Sequence, residues 1–145
     1  MTEKEKLISA KSLIDSDCFE EALEILLQLN LEERSEKFIE MRSLFLSQCY
    51  FQTENYSEGL FWAEKVMEIN KANEFGSQLK YLCLVKLNEI DKALREVLKF
   101  LKSNPANLYK VTLKELMIDI YAGNIQDVEV VDEIKMFAIE NKVFK

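Results

Sequence analysis

The chain has 145 residues, of which 48% are hydrophobic and 31% are charged, a composition typical of folded proteins and too apolar for a disordered one. Its formal net charge of −7 disfavours binding to nucleic acid and to anionic membranes, because an acidic surface repels phosphate groups. Three Gly and one Pro favour long helices with short turns over a β-sandwich or barrel.

The first predicted element is a helical hairpin between about residues 3 and 31. Both of its helices carry apolar residues at helical spacing. Residues 15–17 are polar and form the turn between the two helices. We expect the side chain of Ser16 or Asp17 to cap the start of the second helix.

Two further hairpins and a fourth helix pair follow in the sequence. Pro105 ends the third hairpin, because the residue before a proline avoids helical geometry. Phe144 belongs to a short apolar tail, whose role stays open between docking on the fold and marking a truncation before further repeats. The predicted helices of these three pairs span residues 38–52, 56–69, 75–87, 91–102, 108–121 and 127–141.

Landmark residues of the second and third hairpins recur 34 positions apart. These pairs are Cys49 and Cys83, Tyr56 and Ile90, Gly59 and Ala93, and Asn70 and Asn104. The segment 19–22 repeats the same unit of an aromatic residue followed three places later by a small one. The chain therefore resembles the tetratricopeptide repeat (TPR) family, in which each repeat is one helical hairpin that must stack on its neighbours.

The resemblance implies an all-α, TPR-like right-handed superhelix of three helical hairpins plus a C-terminal capping helix pair. It also implies that residues 1–145 form a single TPR domain, with repeats at about 3–36, 40–73 and 74–107 and capping helices at about 108–141. In this family a small residue at position 20 of each repeat lets the two helices cross closely, and Ala22, Gly59 and Ala93 occupy it here. Tyr81 departs from the pattern, which expects a small residue at its position, so we expect looser packing there.

The sequence offers no constellation for catalysis. Histidine is absent, which excludes Ser-His-Asp and Cys-His nucleophiles and every His-based metal set. The three cysteines lack CxxC spacing, and we interpret Cys49 and Cys83 as packing residues. We therefore expect a non-enzymatic protein without cofactor or metal. The absence of a signal sequence and of an apolar run of about 20 residues, together with reduced thiols, predicts a cytoplasmic or nuclear protein without a membrane span.

In TPR proteins the ligand usually lies in a concave groove lined by the first helix of each repeat. The resemblance places an apolar stripe with two amides in that groove, and such a stripe typically marks an interface. Chaperone-binding relatives grip a peptide carboxylate with Lys and Asn, but Leu7, Lys11 and Phe45 occupy the corresponding region, so this clamp is absent. The predicted protein-binding residues are Met41, Leu44, Phe45, Gln48, Phe51, Phe75, Gln78, Leu82 and Val85.

Two partner classes fit this groove. The string Leu60–Val66 resembles the start of the N-terminal TPR region in subunits of the anaphase-promoting complex, which implies a homodimerising module of a multisubunit assembly. The alternative is a monomeric adaptor that binds a client peptide or helix. Residues 42–66 loosely resemble the mitochondrial fission adaptor, although that protein ends in a membrane helix not found in this sequence.

The exposure of the apolar stripe also stays open. Part of it can face the interior, depending on how the first helix of each hairpin is rotated, or the C-terminal helices can cover it. We interpret Trp62 as a packing residue between hairpins.

Overall fold

A computed structural model describes residues 1–143, and the tail residue Phe144 lies outside the described residues. Residues 1–143 form eight α-helices and no β-strand, which confirms the all-α prediction. The predicted helix bounds agree with the observed ones to within two residues from the third helix onward. The helices are α1 (Glu3–Asp15), α2 (Phe19–Leu27), α3 (Glu36–Gln52), α4 (Tyr56–Ile69), α5 (Glu74–Lys86), α6 (Ile90–Ser103), α7 (Tyr109–Tyr121) and α8 (Val128–Glu140).

The turn inside each helix pair has the same backbone conformation. One residue of each turn adopts a positive φ, at Asp17, Glu54, Asn88 and Gly123. The following amide then donates to the carbonyl five residues earlier, for example from Asn55 to Tyr50 over 2.8 Å. This is the Schellman ending of a helix, which satisfies carbonyl groups that the helix itself leaves unpaired.

The expected side-chain cap of α2 is wrong. Cys18 is the N-cap residue of α2, and it makes no side-chain hydrogen bond to the helix. Asp17 instead has a φ of 61° and belongs to the Schellman ending of α1. Because that left-handed conformation terminates the preceding helix, neither Ser16 nor Asp17 stands at the start of the next one.

The junctions between consecutive hairpins are held by glutamates at position 1 of each repeat. Glu3 Oε2 accepts a hydrogen bond of 2.7 Å from the backbone amide of Asn30, at the end of the first hairpin. Glu40 Oε2 accepts from the side-chain amides of Asn70 at 3.0 Å and Asn73 at 2.7 Å. Each carboxylate therefore ties the first helix of a hairpin to the chain that leaves the second.

Glu74, which lies 34 residues after Glu40, makes the corresponding contact at the third junction. Its two carboxylate oxygens accept hydrogen bonds of 2.8, 2.9 and 3.0 Å from the backbone amides of Asn107, Leu108 and Tyr109. These amides open α7 and have no partner within that helix. A negative charge at a helix N-terminus also interacts favourably with the helix dipole.

Each helix packs against the next one within its hairpin, and hairpins contact through neighbouring helices. α1 contacts α3, and α3 contacts α5, so the first helices of the three hairpins lie side by side. α2 contacts α3, and α4 contacts α5. The last pair contacts the third hairpin between α6 and α8. Neighbour-to-neighbour contact of this kind is the arrangement that repeated hairpins need in order to bury their apolar faces.

Three clusters of buried residues form the interior. The N-terminal core joins α1, α2 and α3 and includes Leu26, Phe45 and Cys49. The central core is the smallest and includes Leu44 and Val66. The C-terminal core joins α6, α7 and α8 around buried residues that include Leu94, Val97, Leu98, Phe100, Leu101, Tyr109, Leu113, Ile134 and Phe137.

Close helix crossings occur where the sequence places small residues. Ala22 and Ala93 are fully buried, and Gly59 is buried as well. A Cβ on Gly59 would lie 3.0 Å from the sulfur of Cys83, and the Gly59 carbonyl accepts a 2.7 Å hydrogen bond from Ser47 of the partner helix. Gly59 therefore lies at a close crossing of α3 and α4, and Ala22 and Ala93 are buried at the corresponding positions of the other hairpins.

The cysteine and aromatic residues singled out in the sequence lie in packing positions. Cys49 and Cys83 are fully buried. Trp62 packs against the N-terminal core, as predicted. Tyr81 is partly buried against the C-terminal core, where its ring lies 6.4 Å from that of Tyr109 in an edge-on arrangement.

Candidate protein-binding surface

Eight of the nine predicted binding residues form two matching rows on α3 and α5. Each row has the spacing i, i+3, i+7, i+10, which keeps its members on one side of a helix. Ser35 caps α3 by accepting from the amide of Phe38, and Asn73 caps α5 by accepting from the amide of Gly76. Because α3 contacts α5, the two rows lie on adjacent helices. The rows are Met41, Leu44, Gln48 and Phe51 on α3, and Phe75, Gln78, Leu82 and Val85 on α5.

Two of the nine residues are interior. Leu44 is 7% exposed and packs in the central core with Ala63, Val66 and Leu79. Phe45, which follows it in α3, is 5% exposed and packs in the N-terminal core. Both side chains therefore stabilise the chain's own fold and offer little area to a partner in this conformation.

The other seven residues are partly exposed. Phe51 and Phe75 both pack against the central core. Met41 packs against the N-terminal core instead. Phe51 is further held by Tyr56, with ring centroids 5.6 Å apart. These side chains are thus anchored on one side and open to solvent on the other.

Val85 belongs to a different surface depression. It lines a cavity of about 190 Å³ with Tyr81, Leu94, Leu116 and Ile125. Leu82, one turn earlier in α5, is partly exposed. The row on α5 therefore runs from the central core at Phe75 toward α7 at Val85, and the structure does not gather all nine residues into one pocket.

Gln48 and Gln78 supply the polar groups of the rows. Within residues 1–143 neither side-chain amide makes a hydrogen bond to another protein group, and both residues are partly exposed. Each amide carries one acceptor and two donors. These groups are available to a backbone or a side chain laid across the rows.

Three ionisable groups near the rows are buried, and burial shifts their pKa values. Burial raises the pKa of the Cys49 thiol to about 12 and that of the Cys83 thiol to about 11, so both are neutral near pH 7. Burial also lowers the pKa of Arg42 from its ordinary value. The Arg42 Nε donates a 3.0 Å hydrogen bond to the Leu26 carbonyl, and its guanidinium lies 5.0 Å from the centre of the Trp62 ring.

Two polar features of the structure were not predicted from the sequence. One is a buried cluster in which Ser77 Oγ lies 2.6 Å from Glu96 Oε2 and 2.8 Å from the Tyr109 hydroxyl. The other is a groove lined by basic side chains between α4, α5 and α6. A signal for the groove was present, because Lys92, Arg95 and Lys99 recur on one face of α6.

Comparisons with known proteins give no assignment of this chain. No protein-family model matches it, and no curated protein or solved structure matches it significantly. None of the helices in residues 1–143 combines the length and the hydropathy that a membrane-spanning helix requires. Over the same residues, no three His, Cys, Asp or Glu side chains are grouped so that they could hold a metal ion.

Proposed function

We propose that the chain is a non-enzymatic protein-interaction scaffold built from TPR-like hairpins. The observation that carries this proposal is the pair of matching rows on α3 and α5, whose members stand 34 residues apart on helices in contact. Their partly exposed apolar side chains flank two amides without a protein partner in residues 1–143. Interfaces combine these ingredients, because apolar contacts supply affinity and unsatisfied amides supply direction.

The first occupant we propose is a second copy of the chain. A homodimer formed through the rows would be two-fold symmetric, so both protomers would use the same surface and each contact would occur twice. Such a module would serve a multisubunit assembly, as the string Leu60–Val66 suggests for an assembly of the anaphase-promoting complex type. The proposal puts the protein in the cytoplasm or nucleus, where buried thiols such as that of Cys49 stay reduced.

A monomeric adaptor is the second candidate, and the amides of Gln48 and Gln78 favour it. An extended client segment presents backbone donors and acceptors that these amides can meet, while Phe51 and Leu82 contact its apolar side chains. This candidate includes a client-binding role similar to that of the mitochondrial fission adaptor. It requires only one copy of the chain.

Light scattering coupled to gel filtration tests the first occupant. We expect a mass of twice 17.0 kDa at micromolar concentration. Leu82→Glu should give a monomer, because the new carboxylate would be buried without a partner in the interface. Val111→Glu is the matched control, since Val111 lies on α7, is 61% exposed and stands outside the rows. Circular dichroism checks that both variants keep their helices.

A stable wild-type monomer would contradict the homodimer and leave the adaptor to be tested. For that test a photo-crosslinking side chain replaces Gln48, with Lys114 on α7 as the control position. The adaptor predicts a crosslinked client at Gln48 that is lost when Leu82→Glu is added. Equal crosslinking at the two positions would contradict a binding role for the rows.

A further inference from the structure

Two depressions between α4, α5 and α6 share part of their lining and are together called the basic groove here. Each has a volume of about 290 Å³, and both are lined by Lys80, Glu96 and Lys99. The first extends toward Leu60 of α4, and the second extends toward the junction at Lys71. The groove is separate from the α3 and α5 rows, since none of its lining residues belongs to them.

The side chains around the basic groove are mostly cationic. Its walls carry only two carboxylates, from Glu64 and Glu96. This excess is notable in a chain whose net charge is −7. The cations come from α5, α6 and the junction after α4, and they are Lys71, Lys80, Lys92, Arg95 and Lys99.

Most of this positive charge is not neutralised by the chain itself. Lys80 is the exception, because its Nζ lies 3.1 Å from Glu96 Oε1 and only 23% of its side chain is exposed. Lys92 reaches Glu89 at 3.7 Å, but both side chains are exposed, and such pairs contribute little. Lys71 and Lys99 make no ion pair within residues 1–143. Arg95 makes none either within the same residues, so three of the five cations of the groove lack an ion-pair partner.

Apolar side chains line the groove beneath these cations. Leu60 and Leu84 lie in the first depression, and Met67, Ala72 and Phe100 lie in the second. The groove thus offers apolar contact along its floor and positive charge along its walls. An occupant must supply both kinds of group to complement it.

We propose that the basic groove binds an acidic segment of a partner protein, with apolar side chains between the carboxylates. Two depressions of this size accommodate individual side chains of an extended segment rather than a folded domain. A nucleic acid fits less well, because its charged backbone supplies no apolar side chains for the floor formed by Leu60, Leu84 and Phe100. The carboxylates of the segment would meet Lys71, Arg95 and Lys99.

Fluorescence anisotropy with a labelled peptide of alternating Glu and Leu tests this proposal. The double substitution Arg95→Glu and Lys99→Glu should weaken binding by at least about tenfold. The matched control is Lys110→Glu with Lys114→Glu, which makes the same change in net charge at exposed positions on α7. The control should bind within about twofold of the wild type. Binding should also weaken between about 0.05 M and 0.3 M salt.

Three results would overturn the proposal. The first is no binding of the peptide to the wild type. The second is an equal loss in both double variants, which would mean that only the general field of the protein attracts the peptide. The third is tighter binding of an oligothymidylate of equal charge, which would make the groove a phosphate site. Leu82→Glu alters the rows and not the basic groove, so it should leave peptide binding unchanged. A negative result for the peptide therefore does not bear on the proposed scaffold function.

Discussion

Arg42 and Glu96 lie near the contacts between neighbouring hairpins, here called seams, at opposite ends of the molecule. Their polar contacts differ. Arg42 joins the second hairpin to the first by donating to the Leu26 carbonyl, and its guanidinium stacks on the Trp62 ring of its own hairpin. No carboxylate within residues 1–143 pairs with it. Glu96 accepts a hydrogen bond from Ser77 within the third hairpin, Ser77 in turn contacts the Tyr109 hydroxyl of the fourth pair, and Lys80 neutralises Glu96 directly. One seam therefore buries a cation without a counter-ion, and the other buries an ion pair within a hydrogen-bonded network.

The two halves of the chain differ in charge, and this difference favours a buried cation at one seam and a buried carboxylate at the other. Residues 1–69 carry 15 acidic and 7 basic side chains, whereas residues 70–145 carry 11 acidic and 12 basic ones. A buried guanidinium in the acidic half benefits from the diffuse attraction of its neighbours. Glu96 lies in the more basic half and beneath the cations of the basic groove. The hairpins are thus joined by different polar contacts at the two ends of the chain.

The largest effect is expected from breaking the Glu96 network. Glu96→Ala should lower the free energy of unfolding by about 3 kcal/mol, because it leaves a partly buried Lys80 without its partner. Urea denaturation measures this change. Glu115→Ala on α7 is the control, since Glu115 is exposed and should change stability by less than about 0.5 kcal/mol. Equal losses in the two variants would show that the network does not hold this seam.

A smaller loss is expected at the other seam. Arg42→Met keeps the apolar length of the side chain but removes the hydrogen bond to Leu26 and the stacking on Trp62, at a cost of about 2 kcal/mol. Trp62 is the single tryptophan, so its fluorescence reports on this seam in the folded state. Lys37→Met, at an exposed position of α3, should leave both stability and emission unchanged. Unaltered emission in Arg42→Met would refute the contact.

The smallest expected effect is on the stability at alkaline pH. It comes from Cys49 and Cys83, two buried thiols that occupy equivalent positions in the second and third hairpins. Burial raises the folded-state pKa of these thiols to about 12 and about 11, above the ordinary value of 9.0. Their contribution to stability is therefore complete below pH 9 and is lost as the pH rises toward 11 and 12. Cys83→Ala should reduce this alkaline loss, as thermal unfolding at a series of pH values would show. A thiol reagent at pH 8 should modify the partly exposed Cys18 much faster than the other two.

The helices were predictable from the sequence because their signals are local. Apolar spacing and the turn residues place α3 to α8 within two residues of their observed bounds. The burial of Leu44 and Phe45 was not predictable in the same way. α3 contacts α1, α2, α4 and α5, so it is covered on several sides, and helical phase alone cannot tell its inner faces from an outer one.

The sequence carries a signal only for the α6 side of the basic groove, in the spacing of Lys92, Arg95 and Lys99. Lys71, Lys80 and Lys99 lie on three separate segments, and only tertiary packing brings them around one cavity. The buried cluster of Ser77, Glu96 and Tyr109 likewise spans three helices. Interleaved charges along the sequence indicate solvated surfaces on average, and they carry no information on which few residues meet across helices.

The contact between Glu74 and the start of α7 has a consequence for the order of folding. The amides of Leu108 and Tyr109 are capped by a side chain from α5 rather than by a residue of their own turn. α7 therefore lacks a complete N-terminus until α5 is in place. On a chain synthesised from the N-terminus, the third hairpin would act as the template on which the last helix pair begins, and assembly would proceed in one direction along the molecule.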